Sequence, residues 1–206
     1  MLVFSEQNLV FLAVPKTGTT AIEMALRPKA DIVFAKHRKH TTGMRYRTKI
    51  KPFLTNAYGM TPSSFAVMRH PIDQIASWYR YRQNVSEANS ERSTEGRSFD
   101  EFVLAVIEEE PPVFAAIGSQ HNFLSTRRGR VAVTHLFAYE KMQLLQDFIA
   151  EQFGEKLTFK QKNVSAYADT TLSPDVEAML RVAREKEFTL YDRLMAEGGY
   201  LKNRRA

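Results

Sequence analysis

The sequence has no cysteine among its 206 residues, which removes disulfides, thiolate metal ligands and cysteine nucleophiles together. A disulfide-free chain is comfortable in a reducing cytosol without requiring one. Long apolar runs are also missing, and no stretch approaches the roughly 20 residues that span a bilayer as a helix. Neither HExxH nor an acidic metal loop is present, and His70, His121 and His135 have no recognisable metal-ligand spacing. No repeat or low-complexity tract breaks the chain. The opening run MLVFSEQNLVFLAV lacks a basic leader and is interrupted by Glu6, Gln7 and Asn8, so it reads as a first strand and not as a signal peptide.

What is present suits a globular protein: 44% hydrophobic and 25% charged residues, in a length that fits one domain spanning residues 1–206. The formal charge of +6 is unevenly spread. Lys36, Arg38, Lys39, Arg45, Arg47, Lys49 and Lys51 cluster with no acidic residue among them, and His37 and His40 lie in the same stretch. Such a field draws anionic ligands, although most charge runs are simply solvated faces.

Alternating apolar runs and amphipathic segments predict an α/β protein with a central parallel sheet flanked by helices. Strands are expected at 9–14, 31–35 and 65–68, with a further strand or pair of strands over 131–139. Helices are expected at 18–26, 72–84, 99–109, 112–118 and 141–153, then from 174 through 195. Residues 36–53 read as a basic loop or short helix. Residues 85–97, rich in Ser, Asn, Glu and Arg, read as a mobile loop, long enough to be a substrate lid or simply disordered. Lys202, Arg204 and Arg205 read as a frayed tail.

Two strand-turn-helix segments carry chemistry. PKTGTT, Pro15 to Thr20, stands between an apolar strand and a helix, where backbone N–H groups and the positive helix end converge. Lys16 adds a charge, Gly18 allows close backbone approach, and Thr17, Thr19 and Thr20 offer hydroxyls. In the nucleoside-triphosphatase loop the lysine follows the second glycine, whereas here it precedes the only one. In FAVMRHPIDQIASWYRYRQ, Arg69 ends a strand, Pro71 opens a helix, and Ser77 follows on it. An arginine fork and a hydroxyl can hold one phosphate from two sides.

Together these segments resemble the 5′-phosphosulfate loop and 3′-phosphate motif of sulfotransferases that use 3′-phosphoadenosine 5′-phosphosulfate (PAPS). SQHNFL, VTHLFAYEKM and NVS further resemble segments of bacterial relatives of the uronyl 2-O-sulfotransferases. The resemblance implies a P-loop-like nucleotide-binding sulfotransferase fold. It also implies transfer of a sulfuryl group from PAPS to an acceptor hydroxyl, with 3′-phosphoadenosine 5′-phosphate (PAP) as product. The acceptor it implies is a carbohydrate, and the basic stretch is compatible with an acidic one. By resemblance, Pro15, Lys16, Thr17, Gly18, Thr19, Thr20, Arg69, Ser77, Asn163 and Ser165 bind the donor and Lys16 also acts in catalysis. KHTT within residues 36–43 resembles a lysine-histidine pair in bacterial members, favouring His40 over His37 as general base, with Glu23 and Glu140 kept as alternatives. Related Golgi enzymes carry an N-terminal anchor, so a chain without one is expected to be a bacterial cytoplasmic enzyme or an excised catalytic domain, and the start at Met1 favours the former. No recognised nucleic-acid motif is present. A small-molecule or nucleotide kinase, or a non-catalytic binder of acidic polymers, remains a competing reading of the same residues.

Overall fold

The computed structural model describes residues 1–83, 85, 87–159 and 168–203. Its apolar opening run is a hairpin and not a single strand. Leu2–Phe4 (β1) and Leu9–Leu12 (β2) pair antiparallel. The polar residues between them form the turn, in which the Asn8 N–H donates to the Ser5 carbonyl at 3.1 Å and Asn8 takes a φ of 48°. Asparagine tolerates that left-handed conformation better than most side chains.

From β2 the chain enters α1 (Thr19–Leu26) and then the edge strand β3 (Ile32–Val33). The basic stretch is helical in pieces: a 3₁₀ turn at Lys36–Arg38, α2 (Gly43–Arg45), a π turn at Tyr46–Ile50, and α3 (Lys51–Tyr58). There follow β4 (Ser63–Met68), α4 (Pro71–Arg82), α5 (Phe99–Val106), α6 (Gln120–Leu124) and β5 (His135–Ala138). The chain continues through α7 (Met142–Phe153), α8 (Pro174–Ala183), α9 (Glu185–Ala196) and β6 (Tyr200–Lys202). No helix among the described residues is long and apolar enough to cross a membrane.

The sheet order is β3-β1-β2-β4-β5-β6. Only its centre, β2-β4-β5, is parallel; β1 pairs antiparallel with both β2 and β3, and β5 with β6. The expected parallel sheet is therefore a mixed one, because the opening run doubles back and the C-terminal segment returns as an edge. The period of two decides which side chains face which layer. Leu9 and Phe11 pack with Ile22 and Leu26 of α1 and Leu145 and Ile149 of α7. Val10 and Leu12 pack on the other face with Tyr46, Leu54 and Leu194. A separate apolar cluster joins α4, α5, α8 and α9 through Tyr79, Phe102, Leu180 and Phe188.

Four further expectations need correction. Residues 112–118 form only a turn, because the Arg82 guanidinium takes the carbonyls of Val113 at 2.8 Å and Ala116 at 3.2 Å, acceptors that a continuing helix would use. The 131–139 run starts as an isolated bridge from Val131 to Ser125 and becomes a strand only at His135. Lys202 is not frayed; it pairs with His135 in β6. The 85–97 segment holds a 3₁₀ turn at Glu87–Arg92, and its end is pinned by buried Thr94, whose hydroxyl donates to the Tyr79 carbonyl at 2.9 Å.

The fold's consequence for function lies at one edge. Leu12 is level with Ala66, and Met68 with Ala138, so the loops after β2, β4 and β5 leave the sheet side by side. In open α/β sheets, ligands bind at this carboxyl edge of the parallel strands.

Candidate functional site

The loop after β2 is set by its own residues. Thr17 is fully buried and its hydroxyl donates to the Val14 carbonyl at 2.9 Å, which closes the turn and commits that side chain to structure. Lys16 and Gly18 both have left-handed φ, 66° and 73°. For lysine this is a strained choice, one that persists only where surroundings enforce it. Gly18 is doubly required, since a Cβ there would lie 3.0 Å from Tyr139 Cε2. Helix α1 starts at Thr19 with neither a capping side chain nor an acidic residue in its first turn. The backbone N–H groups of residues 16–20 donate to no backbone carbonyl among the described residues. Five consecutive free donors beside an unneutralised helix N-terminus form a concavity suited to an anion.

Side chains from α4 and the β4 loop close over it. Lys16 Nζ lies 4.0 Å from the Tyr81 ring centroid and 5.4 Å from that of Trp78. Arg69 stacks on Tyr139, with Cζ 4.7 Å from the ring centroid, so the ring that crowds Gly18 also carries Arg69. Desolvation, with the positive charges of Arg69 and Arg80, lowers the Lys16 pKa to about 8. Lys16, Arg69 and Arg80 have no carboxylate ion-pair partner among the described residues. Arg69 Nε and Trp78 Nε1 are buried donors without an acceptor there. Donors are seldom left so, because each costs desolvation energy unless something accepts from it.

The backbone beneath this cluster is firmly tied. Gln120 accepts from the Arg69 N–H and donates to the Arg69 carbonyl, both at 2.9 Å. Its own amide is held at 3.1 Å by Glu187, a carboxylate only 4% exposed. Gln74 on α4 donates to the Pro15 carbonyl at 3.2 Å and so joins the two loops. Ser77 is half-buried on α4, one turn before Arg80, whose Nη1 donates to Thr170 at 3.1 Å.

His40 approaches the same loop from the basic stretch. Its Nδ1 is 2.7 Å from the Ala13 carbonyl oxygen. A carbonyl can only accept, so Nδ1 carries the hydrogen and the lone pair of the neutral ring is on Nε2. The residue is open to solvent, yet desolvation around the ring lowers its pKa, outweighing the Ala13 contact that raises it. The alternative bases are already engaged. Glu23 pairs with Lys39 at 2.7 Å and with the Met1 amine at 3.7 Å, and Glu140 accepts from the His70 N–H at 2.9 Å.

The residues expected from sequence thus lie along one edge: Pro15 to Thr20, His40, Arg69 and Ser77. The side chain of His37 and both Asn163 and Ser165 are outside the described residues. Thr17 departs from its expected part as a hydroxyl donor to ligand. Sequence reasoning missed Gln74, Gln120, Tyr139 and Arg80. Of these only Arg80 had a legible signal, its spacing of one helical turn from Ser77. No protein-family model matches the chain, and no curated protein matches it.

Proposed function

We propose that the protein is a sulfotransferase that moves the sulfuryl group of PAPS to a hydroxyl, with a carbohydrate as acceptor. The observation that carries this reading is the convergence of uncompensated Lys16, Arg69 and Arg80 with the free N–H groups of residues 16–20, on two loops whose sequences resemble the two phosphate motifs of that family. A bisphosphorylated, sulfated nucleotide supplies several anionic groups, as such a paired site requires.

In this reading the acceptor oxygen forms a bond to sulfur as the bond from sulfur to the 5′-phosphate oxygen breaks. Lys16 and the loop N–H groups stabilise the charge that collects on the departing phosphate, and Arg69 with Ser77 holds the 3′-phosphate. The acceptor proton passes to Nε2 of His40, free because Ala13 fixes the proton on Nδ1. Catalysis is then positioning and electrostatics, as in phosphoryl transfer. Cytoplasmic residence and bacterial kinship belong to the same proposal.

The test is transfer of labelled sulfate from PAPS to a panel of neutral and acidic saccharides. Wild type should label at least one, Lys16→Ala should lose turnover while PAP binding falls less than turnover does, and His40→Ala should lower turnover by roughly 10²-fold or more, the contribution of a positioned base. Full turnover in either variant would defeat its assignment, and no transfer to any hydroxyl would defeat the proposal.

A further inference from the structure

A second concavity lies away from this edge. It has a volume of about 800 Å³, within the range of roughly 300–1,000 Å³ typical of small-molecule sites. Its floor is apolar: Val131 and Val133 before β5, Leu136 in it, Leu201 paired opposite on β6, and Leu190 of α9. These belong to the beginning of β5 and the end of β6, whereas the candidate donor loops follow the ends of β2, β4 and β5. Helix α9 divides the two places. Lys186, Thr189, Leu190 and Arg193 line the cavity, while Glu187 on another face reaches Gln120 and Tyr191 packs on His70.

The rim has a different character. Arg127, Arg128 and Arg130 come from one tight turn, closed by Thr126 N–H to the Arg130 carbonyl at 2.8 Å and Gly129 N–H to the Thr126 carbonyl at 2.9 Å. Lys186 and Arg193 add two cations from α9. None of the five has a carboxylate within ion-pair distance among the described residues, and Glu185 is the one acid on the rim.

We infer that this cavity binds a single amphipathic anion, an alkyl chain laid on the apolar floor with a carboxylate-type head held by the rim arginines. The floor removes a chain from water. Guanidinium forks match a carboxylate in two-point geometry, and a bound anion relieves the mutual repulsion of five cations. A concave floor receives one chain, whereas a membrane surface would favour an outward-projecting apolar face. Nothing in this inference depends on the sulfotransferase reading.

The experiment is calorimetric titration of decanoate, below its micelle concentration, into the full chain. Wild type should give saturable one-to-one binding. The double variant Arg130→Ala/Arg193→Ala, altered only at exposed positions, should bind at least tenfold more weakly. Thr189→Trp, which places a large ring at the mouth from an exposed helix position, should abolish binding while circular dichroism shows an unchanged fold. Decyltrimethylammonium should not bind to wild type. The inference is overturned by absence of saturable decanoate binding, by equal binding in all three proteins, or by binding only to anionic vesicles in co-sedimentation.

Discussion

Lys16 is held in a state that an isolated lysine avoids, partly desolvated, facing two guanidinium groups, and in a left-handed backbone conformation. Its contacts with Tyr81 and Trp78 offset some of that cost, because an aromatic face attracts a cation. An arriving anion offsets more and returns the pKa toward its ordinary value. Binding of PAP near pH 8 should therefore be accompanied by proton uptake, visible as a dependence of calorimetric enthalpy on buffer ionisation, and Lys16→Ala should lose that dependence. The same linkage gives a pH trend. The free protein sheds the Lys16 proton as pH rises through about 8, so PAP affinity should fall by about tenfold between pH 7 and pH 9. A flat profile would show that this ammonium does not meet the ligand. The Ala13 contact makes a separate statement about His40: the ring is neutral and oriented at neutral pH, so the pH-rate profile should show no loss of base on the alkaline side.

At the scale of elements, the loop after β2 depends on Gly18 for two independent reasons. Gly18→Ala meets both the positive φ and the Tyr139 ring, whereas Gly59→Ala meets a similar φ of 66° with open space around it. Urea unfolding should show Gly18→Ala as the more costly, by about 1–2 kcal/mol beyond the backbone penalty that both share. Gln120→Ala should cost about 2 kcal/mol, because it strips both bonds from the Arg69 backbone and one from the buried Glu187 carboxylate. These elements were unequally legible in the sequence. Strand-turn-helix order at Pro15–Thr20 and at Arg69–Ser77 could be read from apolar runs, Gly18 and Pro71, since their determinants are local. Gly154, with a φ of 71°, likewise ends α7 where its type predicts. The failures are tertiary. Nothing near residues 112–118 announces that Arg82 will take their carbonyls, and nothing near Gln120 announces that it will clamp Arg69. The return of residues 200–202 as an edge strand required the distant exposed side of β5.

The whole molecule places its parallel strand ends with Lys16, Arg69 and Arg80 along one edge, which His40 reaches from the basic stretch, while a different set of cations rims the cavity beside α9. Acid should unfold it through a side chain that lines neither place, on the α7 face of the sheet. His135 is 8% exposed and donates to or accepts from the Tyr200 hydroxyl at 2.8 Å. Burial, with Lys202 nearby, lowers its pKa to about 4. Between the ordinary histidine value and about pH 4 the unfolded chain binds the additional proton, so stability falls as pH falls through that window, by on the order of 3 kcal/mol. His135→Gln should flatten this part of the denaturation profile; an unchanged profile would place the acid sensitivity elsewhere. At the edge that unites the two loops, recognition turns on the extra phosphate that separates PAP from common nucleotides. The direct measurement is calorimetric binding of PAP beside AMP, ADP and ATP, on wild type and on Arg69→Ala. The account predicts that PAP binds more tightly than the nucleotides lacking a 3′-phosphate and that Arg69→Ala removes this advantage; equal affinities, or a preference for ATP that survives in Arg69→Ala, would contradict it.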